Sequence, residues 1–211
     1  MKNSKFLCTV IGSQNTGKST FIKDVINTYS KFGLYEPFVT DECDYRKIIE
    51  EKKLNINREG NLESQRVIFD CLSQQVINSI RNPDFKNVIF DRSPIDALVY
   101  TIYLHHQGKV AKEAIDQMKY EVSKFVQLYD AIIYIPLSCC ENVKVVDDKF
   151  RDTDPEYRRY VDKLFSDVLN ELYIGKDGKL IEIYGNRQER LEMFHDNCNH
   201  EFVISKDNFR I

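Results

Sequence analysis

The chain has 211 residues, of which 42% are hydrophobic and 30% charged, values of a globular protein rather than a disordered or membrane-spanning one. Thirty Lys and Arg against 33 Asp and Glu leave a net charge of −3, which argues against a general nucleic-acid surface but leaves room for a local basic cleft. Six cysteines, at 8, 43, 71, 139, 140 and 198, show no C-x-x-C spacing and read as thiols of a reducing cytoplasm rather than a disulfide framework.

The N-terminal "MKNSKFLCTVIG" lacks the long apolar core and small-residue cleavage site of a secretory signal, and no apolar run approaches the roughly 18 to 20 residues of a membrane helix. "KFLCTVIG" (5–12) predicts a buried strand that feeds a glycine loop. Residues 18–33 place Phe21, Ile22, Val25, Ile26 and Tyr29 at helical spacing and stop at Gly33. A second strand is expected over 33–40, cut by Pro37, followed by a polar stretch to about Ser64 and then a helix from Ser64 to Ile80. "KNVIFDRSP" (86–94) predicts a third strand, "DAIIYIPL" (130–137) a fourth and "GKLIEIYG" (178–185) a fifth, with helices between and after them. Asp154-Pro155 marks one helix start as a cap and first-turn pair. Strand and helix alternating along the chain predict an α/β class: a parallel five-stranded sheet covered by helices on both faces, in one domain.

The loop "GSQNTGKST" (12–20) gives that fold its first chemical meaning. Gly12 and Gly17 allow backbone angles and close approaches that a side chain blocks, so the amides of Asn15, Thr16, Gly17 and the following helix start can point at phosphate oxygens. Lys18 adds a point charge near the terminal phosphates, Ser19 offers a magnesium ligand, and Thr20 continues the turn. The expected ligands are ATP and Mg²⁺, in a P-loop NTPase fold.

What is done with the phosphate is read from "VIFDRSP". Three apolar residues, Val88 to Phe90, carry Asp91 to the carboxyl edge of a strand, where parallel sheets place their ligands. A hydrolytic motor usually follows this aspartate with a glutamate that activates water; here Arg92 follows. The pair suits a carboxylate that orients a substrate hydroxyl or the metal shell, beside a guanidinium that clamps an acceptor. The plain structural alternative is an ion pair that caps the next helix. No N-K-x-D base-reading motif supports a GTPase.

These residues resemble the small P-loop nucleoside and nucleotide kinases, specifically the NadR-like AAA-domain group common in bacteriophages. The resemblance spans nearly the whole chain and rests on "GSQNTGKST", "FDRSPIDALVY", "FRDTDPEYRRYVDKLFSDVL" and "IEIYGNRQERL". It implies magnesium-dependent transfer of the ATP γ-phosphate to a nucleoside, nucleotide, related ribosyl acceptor or modified base in DNA, in the cytoplasm (the host's, for a phage-encoded chain); a monomer or homodimer with no membrane partner is expected. It also implies that Glu36, in "YEP", corresponds to the acid that ends the second strand in deoxynucleoside and thymidylate kinases, so that Asp91 and Glu36 compete for the role of general base. The loop "YGNRQER" would flank the adenine, with Arg187 stacked on it.

"VDDKFRDTDPEYRR" is a candidate lid, over about 144–160. Arg151 is the first choice for the arginine that meets the transferring phosphate, and Arg158 the next. Asp41, Asp44, Arg46, Arg58 and Gln65, with Arg92, are the candidate acceptor contacts. Two alternatives stand beside the kinase: a P-loop ATPase working with DNA or a protein partner, and a regulatory module that only binds ATP. "HDNCNH" (195–200) reads as a helix end rather than a zinc site, because no second cluster supplies further ligands.

Overall fold

The computed structural model describes residues 6–31, 38–40, 44–139, 150–172 and 179–198. Glu36, Asp41 and residues 144–149 of the expected lid lie outside them. Five strands, β1 (Phe6–Ile11), β2 (Phe38–Val39), β3 (Asn87–Asp91), β4 (Ala131–Tyr134) and β5 (Leu180–Glu182), form one all-parallel sheet in the order β2-β3-β1-β4-β5. β1 therefore lies at the centre, and the chain leaves it toward opposite edges of the sheet, which opens a crevice beyond its carboxyl end. The register sets Val10 beside Asp91 on one side and Ile133 on the other, so the end of β3 and the loop after β1 share that crevice.

The strands are buried on both faces, as parallel sheets require. α1 (Lys18–Lys31) and α7 (Arg187–Cys198) cover one face, where Val10, Phe21, Val25, Phe38, Ile133 and Phe194 form a core. The other face carries α3 (Leu62–Arg81), α4 (Pro94–His106), α5 (Lys112–Val126) and α6 (Pro155–Glu171). α4 is buried from Pro94 through Leu104. Its apolar side chains on every face, from "PIDALVYTIYL", are what a helix enclosed by α3, α5 and α6 needs.

Local signals explain the helix ends. Ser93 and Asp96 form a capping box at the start of α4, with Pro94 in the first turn. Asp154 caps α6 by accepting the Tyr157 amide hydrogen at 2.8 Å, with Pro155 in the first turn, as the sequence predicts. The polar stretch before Ser64 is more ordered than its composition suggests. It contains α2 (Tyr45–Glu51), capped by Asp44 and anchored by buried Ile49, and a short 3₁₀ turn at Asn57–Glu59. The lid is not a separate helical element within the described residues: 150–154 are irregular, and 155–160 are the first turns of α6, with Tyr157 buried.

Candidate phosphate and acceptor sites

The loop from Gly12 to Thr20 joins β1 to α1 and turns through three left-handed residues, Gly12 (φ 141°), Asn15 (φ 57°) and Gly17 (φ 88°). At Gly12 a Cβ would sit 2.6 Å from the Ile135 carbonyl oxygen, so a side chain is excluded on two counts. Two arginines hold the loop from behind. Arg158 on α6 donates to the carbonyls of Gln14 (3.2 Å) and Asn15 (3.3 Å), and Arg190 on α7 donates to those of Thr16 and Gly185 (2.9 Å each). In a trans peptide the C=O and the next N–H point in opposite directions, so carbonyls fixed at the back turn the amides of Asn15, Thr16 and Gly17 to the front. The nest is built by its braces as much as by its glycines.

Lys18 is buried and donates to the carbonyls of Gly12 (2.8 Å) and Ser13 (2.6 Å). The Ser19 hydroxyl donates to the Asp91 carboxylate at 2.6 Å, across the crevice between α1 and β3. A hydroxyl and a carboxylate are hard oxygen donors suited to Mg²⁺, which keeps other positions for phosphate and water. Among the described residues no group of three or more His, Cys, Asp or Glu could hold a metal ion. Residues Gln14 to Thr20, Arg46, Asp91, Arg92 and Arg151 enclose a cavity of about 140 Å³. Four cations, Lys18, Arg46, Arg92 and Arg151, line it against one acid, Asp91, which gives it an excess of positive charge.

Arg92 has φ 87°, unusual for a residue with a side chain. Its N–H donates to the Val10 carbonyl (3.1 Å) and its carbonyl accepts from the Thr9 hydroxyl (3.1 Å), which fixes the backbone where β3 hands over to α4. The guanidinium lies 3.5 Å from Asp96, one turn into α4. The helix-start ion pair is therefore real, and Arg92 faces the cavity as well. Burial pushes the Asp96 carboxyl up to about 6, against the pull of Arg92 and Lys18. Asp96 was not a sequence candidate, although the Ser93-x-x-Asp96 spacing carried its signal.

A second cavity, about 30 Å³, shares Gln14 and Arg92 with the first and is lined also by Tyr45, Gln65, Asp96 and Tyr100. Gln65 is 1% exposed, and its side-chain oxygen has no hydrogen-bond partner. The Tyr100 hydroxyl lies near Gln14 and Arg92 and makes no full hydrogen bond. Buried polar atoms of this kind are costly unless something accepts or donates to them.

The other candidates divide. Arg46 stacks over Phe150 (5.2 Å) and faces the phosphate cavity, as does Arg151. Asp44 caps α2 through the Lys47 amide and lies at the surface rather than in either cavity. Arg58 pairs with Asp152 (2.5 Å) and Asp154 (3.7 Å), outside both cavities. Arg158, expected at the phosphates, reaches the loop from its back. Arg187, expected on the adenine, is held in a two-point ion pair by Asp24 of α1, while Arg190, one turn further along α7, is the buried brace that sequence reading missed. His195 is buried against the Tyr29 hydroxyl (3.3 Å) and Cys198 lies in the same core, its thiol pushed up to about 12 by burial, so both are packing residues.

Comparison with known proteins agrees with this fold. No curated protein matches the sequence. Among solved structures, the fold is similar to a NadR protein in complex with NAD and AMP-PNP (TM-score 0.65, 17% identity), covering 96% of this chain and 52% of that one. This chain thus spans about half the length of that relative. It is also similar to thymidylate kinase from Candida albicans (TM-score 0.61, 15% identity, 96% of each chain). A third likeness is deoxyadenosine kinase from M. mycoides (TM-score 0.58, 14% identity), covering 92% of this chain and 99% of that one. A family model described as an AAA domain matches residues 7–190, so the chain belongs to the AAA-domain family, with a P-loop NTPase fold.

Proposed function

We propose that the protein is a kinase that transfers the γ-phosphate of ATP to a nucleoside, a nucleotide or a related ribosyl or modified-base acceptor. The observation that carries this reading is the pair of adjoining cavities: a cationic phosphate nest that shares Gln14 and Arg92 with a polar cavity holding the unpartnered Gln65 oxygen. A hydrolase needs only the first of these. The kinases among the structural relatives support the same choice through shared fold.

In this reading the loop amides and Lys18 hold the β- and γ-phosphates, with Gly12, Asn15, Thr16, Gly17 and Thr20 shaping the turn. Ser19 and Asp91 would hold Mg²⁺, which would supply neutralisation of phosphate charge. The engagement of Asp91 with Ser19 favours that role over general base and leaves Glu36 as the proton acceptor for the attacking hydroxyl. Arg92 and Gln65 orient the acceptor, and Arg151 with Arg46 meets the charge that spreads over the equatorial oxygens during transfer. A cavity of about 30 Å³ takes a hydroxyl group but not a whole nucleoside, so α2 and the segment around Phe150 must give way on binding.

The test is a screen for ADP release with Mg-ATP and nucleosides, monophosphates, nicotinamide riboside or modified DNA. Turnover that is slow alone and rises sharply with one acceptor is the expected result. Fast hydrolysis indifferent to every acceptor and stimulated by DNA or a protein would replace the kinase with an ATPase, and tight ATP binding without turnover would replace it with a regulatory module.

A further inference from the structure

We infer that Gln14 is a positioning residue that sets Arg151 against the phosphate loop, through a hydrogen-bonded ring joining three segments distant in sequence. The inference rests on the kinase reading for its consequence in turnover and on geometry alone for the ring itself.

Gln14 lies at a position that the glycine-loop pattern does not specify, yet its side chain is 3% exposed and hydrogen-bonded through both its oxygen and its nitrogen. Its oxygen accepts the backbone N–H of Asp152, and its amide nitrogen donates to the Asn57 side-chain oxygen at 2.6 Å. The Asn57 nitrogen in turn donates to the Phe150 carbonyl at 3.2 Å. Both ends of this chain are backbone groups whose polarity is not in doubt. The Asp152 N–H can only donate, so the Gln14 oxygen faces it; the Phe150 carbonyl can only accept, so the Asn57 nitrogen faces that. One arrangement of the two amides satisfies every partner. Asn57 takes φ 55° to present its side chain this way, a backbone conformation that asparagine tolerates.

The ring closes around one residue. Phe150 and Asp152 are fixed on either side of Arg151, and Arg58 secures Asp152 a second time through its carboxylate, at 2.5 and 3.2 Å. Arg46 rests on the Phe150 ring. The backbone that carries Arg151 is thereby referred both to the loop that holds the phosphates and to the 3₁₀ turn beside the second cavity, which Gln14, Asn57 and Phe150 also line. A shift of the acceptor segment therefore moves the arginine, which a lid hinged only at its own ends would not require.

The experiment compares Gln14→Met, which keeps length and removes both hydrogen bonds, with Asn57→Gly, which keeps the left-handed backbone and removes the amide. The readouts are AMP-PNP affinity, the rate of γ-phosphate transfer from Mg-ATP to water, and hydrogen exchange of the Asp152 amide. Each variant should lower the transfer rate about tenfold or more with AMP-PNP affinity changed less than about twofold. In an Arg151→Ala background neither should cost anything further, because they act through that arginine. A full additional cost in that background, or losses of affinity equal to those of rate, would overturn the inference. If the wild-type protein neither binds AMP-PNP nor turns over ATP, the kinase reading fails while the ring is still decided by exchange on the unliganded chain. An Asp152 amide that is slow in wild type and at least about tenfold faster in both variants sustains it; unchanged exchange overturns it.

Discussion

The phosphate loop and segment 44–61, where we propose that the acceptor binds, are joined through Gln14 and Asn57 and are held in different ways. The loop is fixed through its backbone: its carbonyls are taken by Arg158 and Arg190, its lysine lies along it, and most of its residues are buried. Segment 44–61 is fixed mainly through side chains, by buried Ile49, the Gln14–Asn57–Phe150 bonds, the Asp44 cap, the Arg58 pairs and a Lys109 bond to the Arg58 carbonyl. Exposed pairs contribute little to stability, typically about 0 to 1 kcal/mol. A backbone-built site keeps its shape while side chains around it change, whereas a side-chain-built one can be retuned for a different acceptor. The difference teaches where specificity can vary without loss of chemistry.

The hardest test of that contrast is Lys18→Ala. Phosphoryl transfer should fall by about 10³-fold or more with the circular dichroism spectrum unchanged, since the charge goes and the braces stay. Arg151→Ala should lower turnover about 10²-fold, roughly 3 kcal/mol, with little change in AMP-PNP affinity, while Lys163→Ala further along α6 changes neither. Arg190→Met leaves the Thr16 and Gly185 carbonyls without this donor, so it should weaken AMP-PNP binding about tenfold and lower Tm, although Arg190 lines neither of the two cavities described above. An unaltered affinity would mean that the loop keeps its shape without its brace.

Asp96 supplies a pH-dependent test. Its folded pKa of about 6 lies above its ordinary value, so the native state holds a proton the unfolded chain releases between about pH 4 and 6. Its contribution is full below that window and is lost as pH rises through it. Wild type should exceed Asp96→Asn in stability most at about pH 4, and the gap in denaturant midpoint should narrow toward pH 7. The smallest effect belongs to the acceptor side: Asp44→Ala should cost about 1 kcal/mol as a lost helix cap and leave AMP-PNP affinity unchanged.

The sequence showed the parts whose meaning is local. The glycine loop, Asp91 at a strand end and the Asp154-Pro155 helix start all depend on neighbours within a few residues, and they stand where the spacing placed them. α2 was hidden because seven residues with one buried apolar side chain carry too little periodicity to read. The arginines were the hardest. Arg187 and Arg190 sit one turn apart on the same helix, yet one reaches a buried acid from the surface and the other is itself buried and holds the phosphate loop. Nothing in their sequence neighbourhood separates them, because the choice is made by α1 and the loop, more than 160 residues away in the chain.

Arg92 shows what such a site asks of the rest of the molecule. Its left-handed backbone is one that glycine adopts freely and arginine does not, at a cost on the order of 1 kcal/mol or more. Its loss would let Asp96 take up a proton rather than remain a buried, unmatched charge. Arg92→Gly combined with Asp96→Asn should therefore relax the turn and spare the core an ion pair. A laboratory selection that rewarded heat resistance alone would drift toward that double replacement and discard the guanidinium at the junction of the two cavities; only a selection that also counts phosphate delivered would keep it.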